Sequence, residues 1–394
     1  MKIILIVADG LGDESIPQLK NKTPLEAAKT SDLDRLAANG VCGLILPFSE
    51  KRKLPTSEDS HLALFGFGPK IFNPGRGVLE VLGTGMKILP GDICLRGNFA
   101  TVDENLKIID RRAGRIEKTE NLIRAISGIE IEGVKFLIQK AVSHRLGIVM
   151  RGKNLDSAIS DGDPKKLGEK PLEIFAKNKS KEAVFCAKVL NKFLAKSHLI
   201  LKNHPENQKR KLAANYILVR GAGKFKKIKG FKEKYGLKAA YIAGGTLYKG
   251  IGKFLGMEEI KVKGANGLAN TNLKGKFLAA KSALKKYDFV FCHIKAADNL
   301  AEDGNFLAKK EFIEKIDINL KPVINLKDTL IVFTGDHSTC SLTKNHCLKP
   351  IPVLISGKGK SQAKKFSEKD CRKGKLGTFR QMELMQKILK YAKK

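Results

Sequence analysis

No stretch of this chain is apolar for long enough to be a bilayer span or the core of a signal peptide. The longest early run, Ile3 to Ala8, stops at Asp9. A soluble, cytoplasmic protein with no membrane partner is therefore expected. The seven cysteines, Cys42, Cys94, Cys186, Cys292, Cys340, Cys347 and Cys371, include no CxxC pair, and an odd number is a poor disulfide framework. Free thiols in a reducing compartment are the expectation. No GxxxxGK[ST] loop occurs, because Gly359-Lys360-Ser361 has Leu354 where the first glycine would stand, and VRGAGKF is not a dinucleotide fingerprint. That disfavours an ATP-fed kinase. Internal repeats and low-complexity linkers are also missing. Acidic residues are few, 40 against 74 Lys plus Arg, for a formal charge of +34. A field of that size attracts phosphates of any kind. The basic residues are nevertheless spread over the whole chain, and the densest stretch, GKGKSQAKKFSEKDCRKGK at 357–375, holds one aromatic and no stacking pattern. A solvated lysine-rich surface explains this better than nucleic-acid binding.

What is present reads as α/β. KIILIVADG is a continuous apolar run of strand length, suited to a strand buried on both faces of a parallel sheet, with a carboxylate at its C-terminal end. Thr23 and Glu26 in capping-box relation, Pro24 at the first helical position and Gly40 as a stop predict a helix over 23–39, followed by a strand from Val41 to Leu46. Further buried strands are predicted at Lys238–Ala243, Asp288–Ile294, Thr329–Gly335 and Pro352–Ser356. Between about Lys87 and Arg220, short strand patterns surround a helical block from Pro171 to Leu201, a mixed α+β signature. The expected organisation is a discontinuous α/β core over 1–86 and 222–394, with a mostly parallel sheet and helices on both faces, carrying a smaller inserted α+β domain over 87–221.

In open α/β sheets the ligand site lies beyond the carboxyl ends of the strands. Asp9 ends the first strand, Asp298 and Glu302 follow DFVFCHI, Asp336 and His337 follow TLIVFTG, and His346 lies just before PVLIS. Four carboxylates and two imidazoles at one sheet edge suit two divalent cations with mixed nitrogen and oxygen ligation, and two ions would clamp a phosphoryl group. Taken singly, each has a plain alternative: a turn at Asp9-Gly10, a solvated helix start at Asp298 and Glu302, a loop histidine at His346. In PTSEDSHLALFGF, Thr56 or Ser57 reads either as an N-cap or as a hydroxyl at a helix N-terminus, where dipole and free N–H groups favour an alkoxide and an incoming phosphate.

The segments VADGLGDE with KTPLEAAKTSDLDRLAANG, TSEDSHLALFGFGP with NPGRGVLEVLGTGMKI, YKGIGKFLG, HIKAADNLAEDG and TGDHSTCSLTKNHCLKPIPVLI, in this order over residues 1 to about 357, resemble the archaeal-type cofactor-independent (2,3-bisphosphoglycerate-independent) phosphoglycerate mutases of the alkaline phosphatase superfamily. The resemblance implies an alkaline-phosphatase-like core and interconversion of 3-phosphoglycerate and 2-phosphoglycerate in glycolysis and gluconeogenesis, without added bisphosphoglycerate. It implies one ion (Mn²⁺, Zn²⁺, Co²⁺ or Mg²⁺) among Asp9, Ser57, Asp336 and His337, with Ser57 as the phosphorylated nucleophile, and a second among Asp298, Glu302 and His346. At Glu302 the family usually has histidine, so the second ion could be altered in preference or lost; Cys347 stands where serine is commoner. A substrate with a phosphate and a carboxylate calls for cations. Arg112, Arg220 and Lys249 are the first candidates, then Arg76, Arg145, Arg111, Arg115 and Arg151. Asp161 and Asp163 in SDGDP resemble an acidic motif of the family, where Asp161 would manage the glycerate protons or mark a simple turn. A metal-dependent phosphomonoesterase, a mutase of another phosphorylated metabolite, or a basic regulatory protein on the same fold stay open, as does homo-oligomer formation.

Overall fold

The computed structural model describes residues 1–49, 53–359 and 363–393; positions 360–362 of the lysine-rich stretch lie outside it. The chain forms two compact units, one of Met1–Asn73, Lys229–Gly245 and Leu255–Lys394, the other of Pro74–Ile228 and Thr246–Phe254.

The first unit begins with β1 (Lys2–Ala8), whose residues Ile3 to Ala8 are fully buried, and β2 (Gly40–Leu46). The chain then passes through the second unit, which holds β3 (Ile93–Val102), β4 (Ile108–Asp110), β5 (Glu130–Ile131), β6 (Val134–Lys140), β7 (Arg145–Arg151) and β8 (Tyr216–Lys224). Back in the first unit come β9 (Ala239–Ile242), β10 (Glu258–Glu259), β11 (Phe289–Ile294), β12 (Thr329–Thr334), β13 (Ser338–Cys340), β14 (Asn345–Cys347), β15 (Ile351–Ser356) and β16 (Gly377–Arg380). The large sheet has the order β10-β9-β11-β1-β12-β15-β2-β16, and β15 alone runs against the others. β1, β11, β12 and β15 are buried along their whole apolar runs, as a sheet covered on both faces requires.

Register is what matters for the site. Ala8 pairs with Ile294 and Val7 with Thr334, so the central strands stop level and release Asp9, Lys295 and Gly335-Asp336 side by side. One face of the sheet packs Ile4, Ile6, Cys292 and Phe333 against Leu33, Phe277, Phe312 and Ile316 of helices. The other receives the Ser57–Leu64 helix, where Phe65 meets Phe291 edge-on at 5.0 Å. Two expected helices differ. The 23–39 segment is two helices, Pro24–Ala27 under the predicted Thr23–Glu26 capping box and Ser31–Ala38, because the carboxylate of Asp317 accepts the backbone N–H groups of Asp32 and Leu33 and starts a second helix there. The predicted Pro171–Leu201 block is helical only over Lys181–Lys202. Before it, Ile174 exchanges hydrogen bonds with the Asn191 amide and Phe175 N–H bonds Ser160, which hold the chain extended until Ser180 caps the helix through Ala183 N.

The second unit is an antiparallel sheet, β4-β3-β7-β6-β5 with β8 also on β3. The 22-residue helix packs against it through Ala183, Cys186, Val189, Leu190 and Phe193, one stripe at helical spacing, with Phe193 stacked on Phe136 at 3.9 Å. Among the described residues no helix is long and apolar enough to cross a membrane.

The expectation of free thiols fails at one pair. Cys340 and Cys347 form a disulfide across β13 and β14, while Cys42, Cys94, Cys186, Cys292 and Cys371 are free and buried. The antiparallel register brings the two Cα atoms to 6.0 Å, within disulfide reach, at a spacing that a search for CxxC passes over.

Candidate active site

The level strand ends gather the sequence-predicted ligands of the first unit. Ser57 is the first residue of its helix, with Thr56 as the N-cap that accepts Asp59 N–H, and its Oγ lies 3.3 Å from His337 Nε2. That nitrogen is 3.2 Å from Asp336 Oδ2 and 3.5 Å from Asp9 Oδ1. Next to this group, His346 Nε2 stands 3.6 Å from Asp298 Oδ1 and 3.9 Å from Glu302 Oε1, and the rings of His337 and His346 stack at 3.7 Å. Glu302 closes the Ala296–Glu302 helix with its side chain half exposed. Ser57, Asp9, Asp336, His337, Asp298, Glu302 and His346 thus form one neighbourhood, with two overlapping donor groups, Asp9–Asp336–His337 and Asp298–His337–His346.

Its electrostatics suit cations. Burial pushes His337 down to about 3, with His346 as a further cause, and holds His293 at about 3 and His61 at about 4, so these rings are neutral and carry lone pairs at physiological pH. Burial opposes ionising Asp9, yet Lys295, the hydrogen bond from His293 and the nearby imidazoles hold it well below the usual carboxylate range. Burial and the Asp9 charge push Asp336 well above it. Glu302 is raised by desolvation and by Asp298. Among the described residues Asp336 Oδ2 is buried without a hydrogen-bond partner. An orphaned carboxylate oxygen beside neutral imidazoles, a second carboxylate and a hydroxyl is a donor set that fits a divalent ion.

Several residues here escaped the sequence reading. Lys295 Nζ bonds Asp298 Oδ2 and lies 3.4 Å from Asp9 Oδ1, a cation between the two groups. His293 Nε2 meets Asp9 Oδ2 at 3.1 Å, and His61 Nδ1 meets the Ser57 carbonyl at 2.8 Å and Asp336 Oδ2 at 3.3 Å. His346 Nδ1 is 2.6 Å from the Pro55 carbonyl, so its N–H points there and the Nε2 lone pair is left on the side of Asp298. The four-residue spacing of Ser57 and His61 was the available signal, since it puts both on one helix face. His293 is hidden inside an apolar strand.

The remaining candidates belong to the second unit. Arg111 forks onto Asp163, Nε to Oδ1 at 3.0 Å and Nη2 to Oδ2 at 2.7 Å, and Arg220 Nε lies 3.4 Å from the same carboxylate. Asp161 accepts Gly221 N–H at 2.8 Å. Arg76 Nε and Arg96 Nη1 approach Glu80 Oε1 at 3.6 and 3.7 Å. Arg96 on β3 sits directly opposite Arg220 on β8, a like-charge pair that a sheet does not favour by itself. Arg151 is committed to Asp92 through two hydrogen bonds. Arg112, Arg115 and Arg145 are exposed, and Lys249 is half-buried on the Thr246–Phe254 helix.

A mostly parallel sheet that gathers carboxylates, imidazoles and a serine at one edge is the architecture of a metalloenzyme, and the profile described as the metalloenzyme superfamily matches residues 1–391. A 2,3-bisphosphoglycerate-independent phosphoglycerate mutase of Methanocaldococcus jannaschii is 43% identical over 98% of this chain and 96% of its own length, and one of Archaeoglobus fulgidus 40% identical over 100% and 99%. Among solved structures, a Pyrococcus horikoshii protein superposes with a TM-score of 0.86 at 30% identity over 100% of this chain and 97% of its own. The cofactor-independent phosphoglycerate mutase of Thermoplasma acidophilum gives 0.72 at 34% identity over 100% of both. The chain belongs to the archaeal-type 2,3-bisphosphoglycerate-independent phosphoglycerate mutases.

Proposed function

We propose that this chain interconverts 3-phosphoglycerate and 2-phosphoglycerate in the cytoplasm, a step shared by glycolysis and gluconeogenesis, through a phosphoserine on Ser57. The observation that carries the reading is the place of Ser57: a hydroxyl at the start of a helix, 3.3 Å from a neutral imidazole, beside Asp9 and Asp336. Asp9, Ser57, Asp336 and His337 would hold one divalent ion, and Asp298, Glu302 and His346 a second; mixed oxygen and nitrogen donors suit Mn²⁺, with Zn²⁺, Co²⁺ and Mg²⁺ as alternatives. Bound ions would supply charge neutralisation for the phosphoryl group and a lowered pKa for the serine.

The bond changes fall to the chain and its substrate. Ser57 loses its hydroxyl proton as Oγ attacks phosphorus, the bond from phosphorus to the C3 oxygen breaks, and that oxygen takes up a proton. The 2-hydroxyl then loses its proton and attacks the phosphoserine, the bond from phosphorus to Ser57 Oγ breaks, and Ser57 regains a proton. Asp161, with one carboxylate oxygen on Gly221 N–H, is assigned the glycerate protons, and Lys249 the phosphate charge. Arg220, Arg76, Arg145 and Arg112 are assigned the carboxylate and phosphate of the substrate. The directly opposed positions of Arg96 and Arg220 on adjacent strands support an anion-binding second unit, and this unit, which contains the expected insertion 87–221, is proposed as the substrate-binding part.

Conversion of 3-phosphoglycerate in the presence of Mn²⁺, followed through enolase, tests the reading. Ser57→Ala is expected to lower kcat by on the order of 10³-fold or more, and an active Ser57→Ala enzyme would remove the phosphoserine. Release of free phosphate with no enolase signal would instead make the protein a phosphomonoesterase.

A further inference from the structure

Thr339, a buried residue of β13, hydrogen-bonds to both donor groups. Its Oγ1 lies 2.6 Å from Asp298 Oδ1 and 3.1 Å from His337 Nδ1. Asp298 takes the Lys295 ammonium on its other oxygen and is an acceptor only, so the single hydroxyl proton of Thr339 goes to Asp298. The hydroxyl then has only a lone pair to offer His337, and Nδ1 must be the nitrogen that carries the ring proton. Nε2 is left with its lone pair, and Nε2 is the atom that faces Ser57, Asp336 and Asp9.

We propose that Thr339 is a positioning residue that fixes the His337 tautomer and thereby divides the overlapping donors into two ion sites. The inference rests on the two-ion reading above. Both donor groups claim His337. A ring nitrogen that bears a proton cannot ligate, so His337 serves the Asp9–Asp336 group through Nε2, and the Asp298 group is completed by His346, whose own Nδ1–H is held by the Pro55 carbonyl. The opposite tautomer would aim an N–H at Ser57 and take a ligand from the first site.

The fold holds Thr339 in place. Its N–H donates to the Gly12 carbonyl at 3.0 Å, and its carbonyl accepts the fully buried Lys309 ammonium at 3.0 Å. The same ammonium reaches the Gly12 carbonyl at 3.1 Å and Asp13 Oδ2 at 2.9 Å, which ties β13 to the turn after β1. Gly10 in that turn has φ +66°, and a Cβ there would fall 2.7 Å from Thr339 Oγ1; the missing side chain is the room that the hydroxyl occupies.

Thr339→Val keeps the shape and removes the hydroxyl, and Thr339→Ser keeps the hydroxyl. Calorimetric titration of the chelated full-length chain with Mn²⁺ alone is expected to show about 10- to 100-fold weaker uptake at one site for the valine variant and about wild-type uptake for serine. Circular dichroism checks that both are folded. Long-range ¹H–¹⁵N spectra of the metal-free chain should place the His337 proton on Nδ1 in the wild type and spread it over both nitrogens in Thr339→Val. Equal Mn²⁺ affinity of the wild type and Thr339→Val overturns the proposal, as does a wild-type spectrum with the proton on Nε2. A wild type that takes up no Mn²⁺ but keeps the proton on Nδ1 overturns the two-ion reading and leaves the tautomer assignment standing.

Discussion

Glu302 is the loosest member of the site. It lies 3.9 Å from His346, half of its side chain meets solvent, and desolvation together with Asp298 raises its pKa, so it competes poorly for an ion until one is already held by Asp298. On the two-ion reading, Glu302→Gln, which removes the charge and keeps the shape, is expected to lower metal content from two ions per chain towards one, by elemental analysis after dialysis at micromolar Mn²⁺. Two ions retained by the variant would show that Asp298 and His346 suffice. At this scale the sequence was readable where a polar residue directly follows an apolar strand, as Asp9 and Asp336-His337 do. It was silent where the decisive neighbour is remote: Lys295 and Thr339 stand beside predicted ligands, but their roles come from partners hundreds of residues away in the chain, such as Asp9 for Lys295 and Gly12 for Thr339.

Among elements, the β13–β14 hairpin carries the most consequence. It presents Thr339 on one strand and His346 on the other, paired directly across the ladder, and Cys340–Cys347 closes it. A crosslink over so short a loop contributes about 2 kcal/mol by chain entropy. Cys347→Ser is expected to lose about that much stability in urea denaturation and, on the two-ion reading, to weaken the ion proposed for His346. Reductant should bring the wild type to the same values and leave the variant unchanged; a wild type indifferent to reductant would mean the hairpin holds without its crosslink. Element types were legible because local signals and burial agree: continuous apolar runs became β1, β11 and β12, and the Thr23–Glu26 box began a helix as read. Boundaries failed where a distant side chain intervened. Asp317 starts a second helix at Ser31 from 284 residues away, and Asn191 and Ser160 keep 171–180 extended. Neither interaction leaves a periodic trace in the sequence.

For the whole molecule, the charge of +34 and the arginines proposed for the substrate would act on the same kind of ligand at different range. The diffuse field is screened within about 10 Å at 0.1 M salt, whereas Arg220 and Arg111, held on Asp163, stay in place. Arg220→Ala is therefore expected to raise KM for phosphoglycerate by about tenfold or more, the order of one lost charged hydrogen bond, at low and high salt alike. A loss confined to low salt would reduce Arg220 to part of the general field. The short strands of the second unit were legible as short alternating patterns in the sequence. The grouping of Thr246–Phe254 with that unit leaves no local signal, because the segment reads as one more helix of an α/β alternation.

The level strand ends carry one more consequence. Ser57 and His337 are 280 residues apart in the chain, and Pro55 and His346 are 291 apart. No fragment that stops short of His337 contains all the residues proposed for either ion, and the second set also waits for His346 of β14, so during synthesis the growing polypeptide would hold neither until most of the first unit has been made. Capture of a first ion would then report that the central strands have come together, and starvation for metal would leave a backbone that is easier to open and easier for a protease to cut.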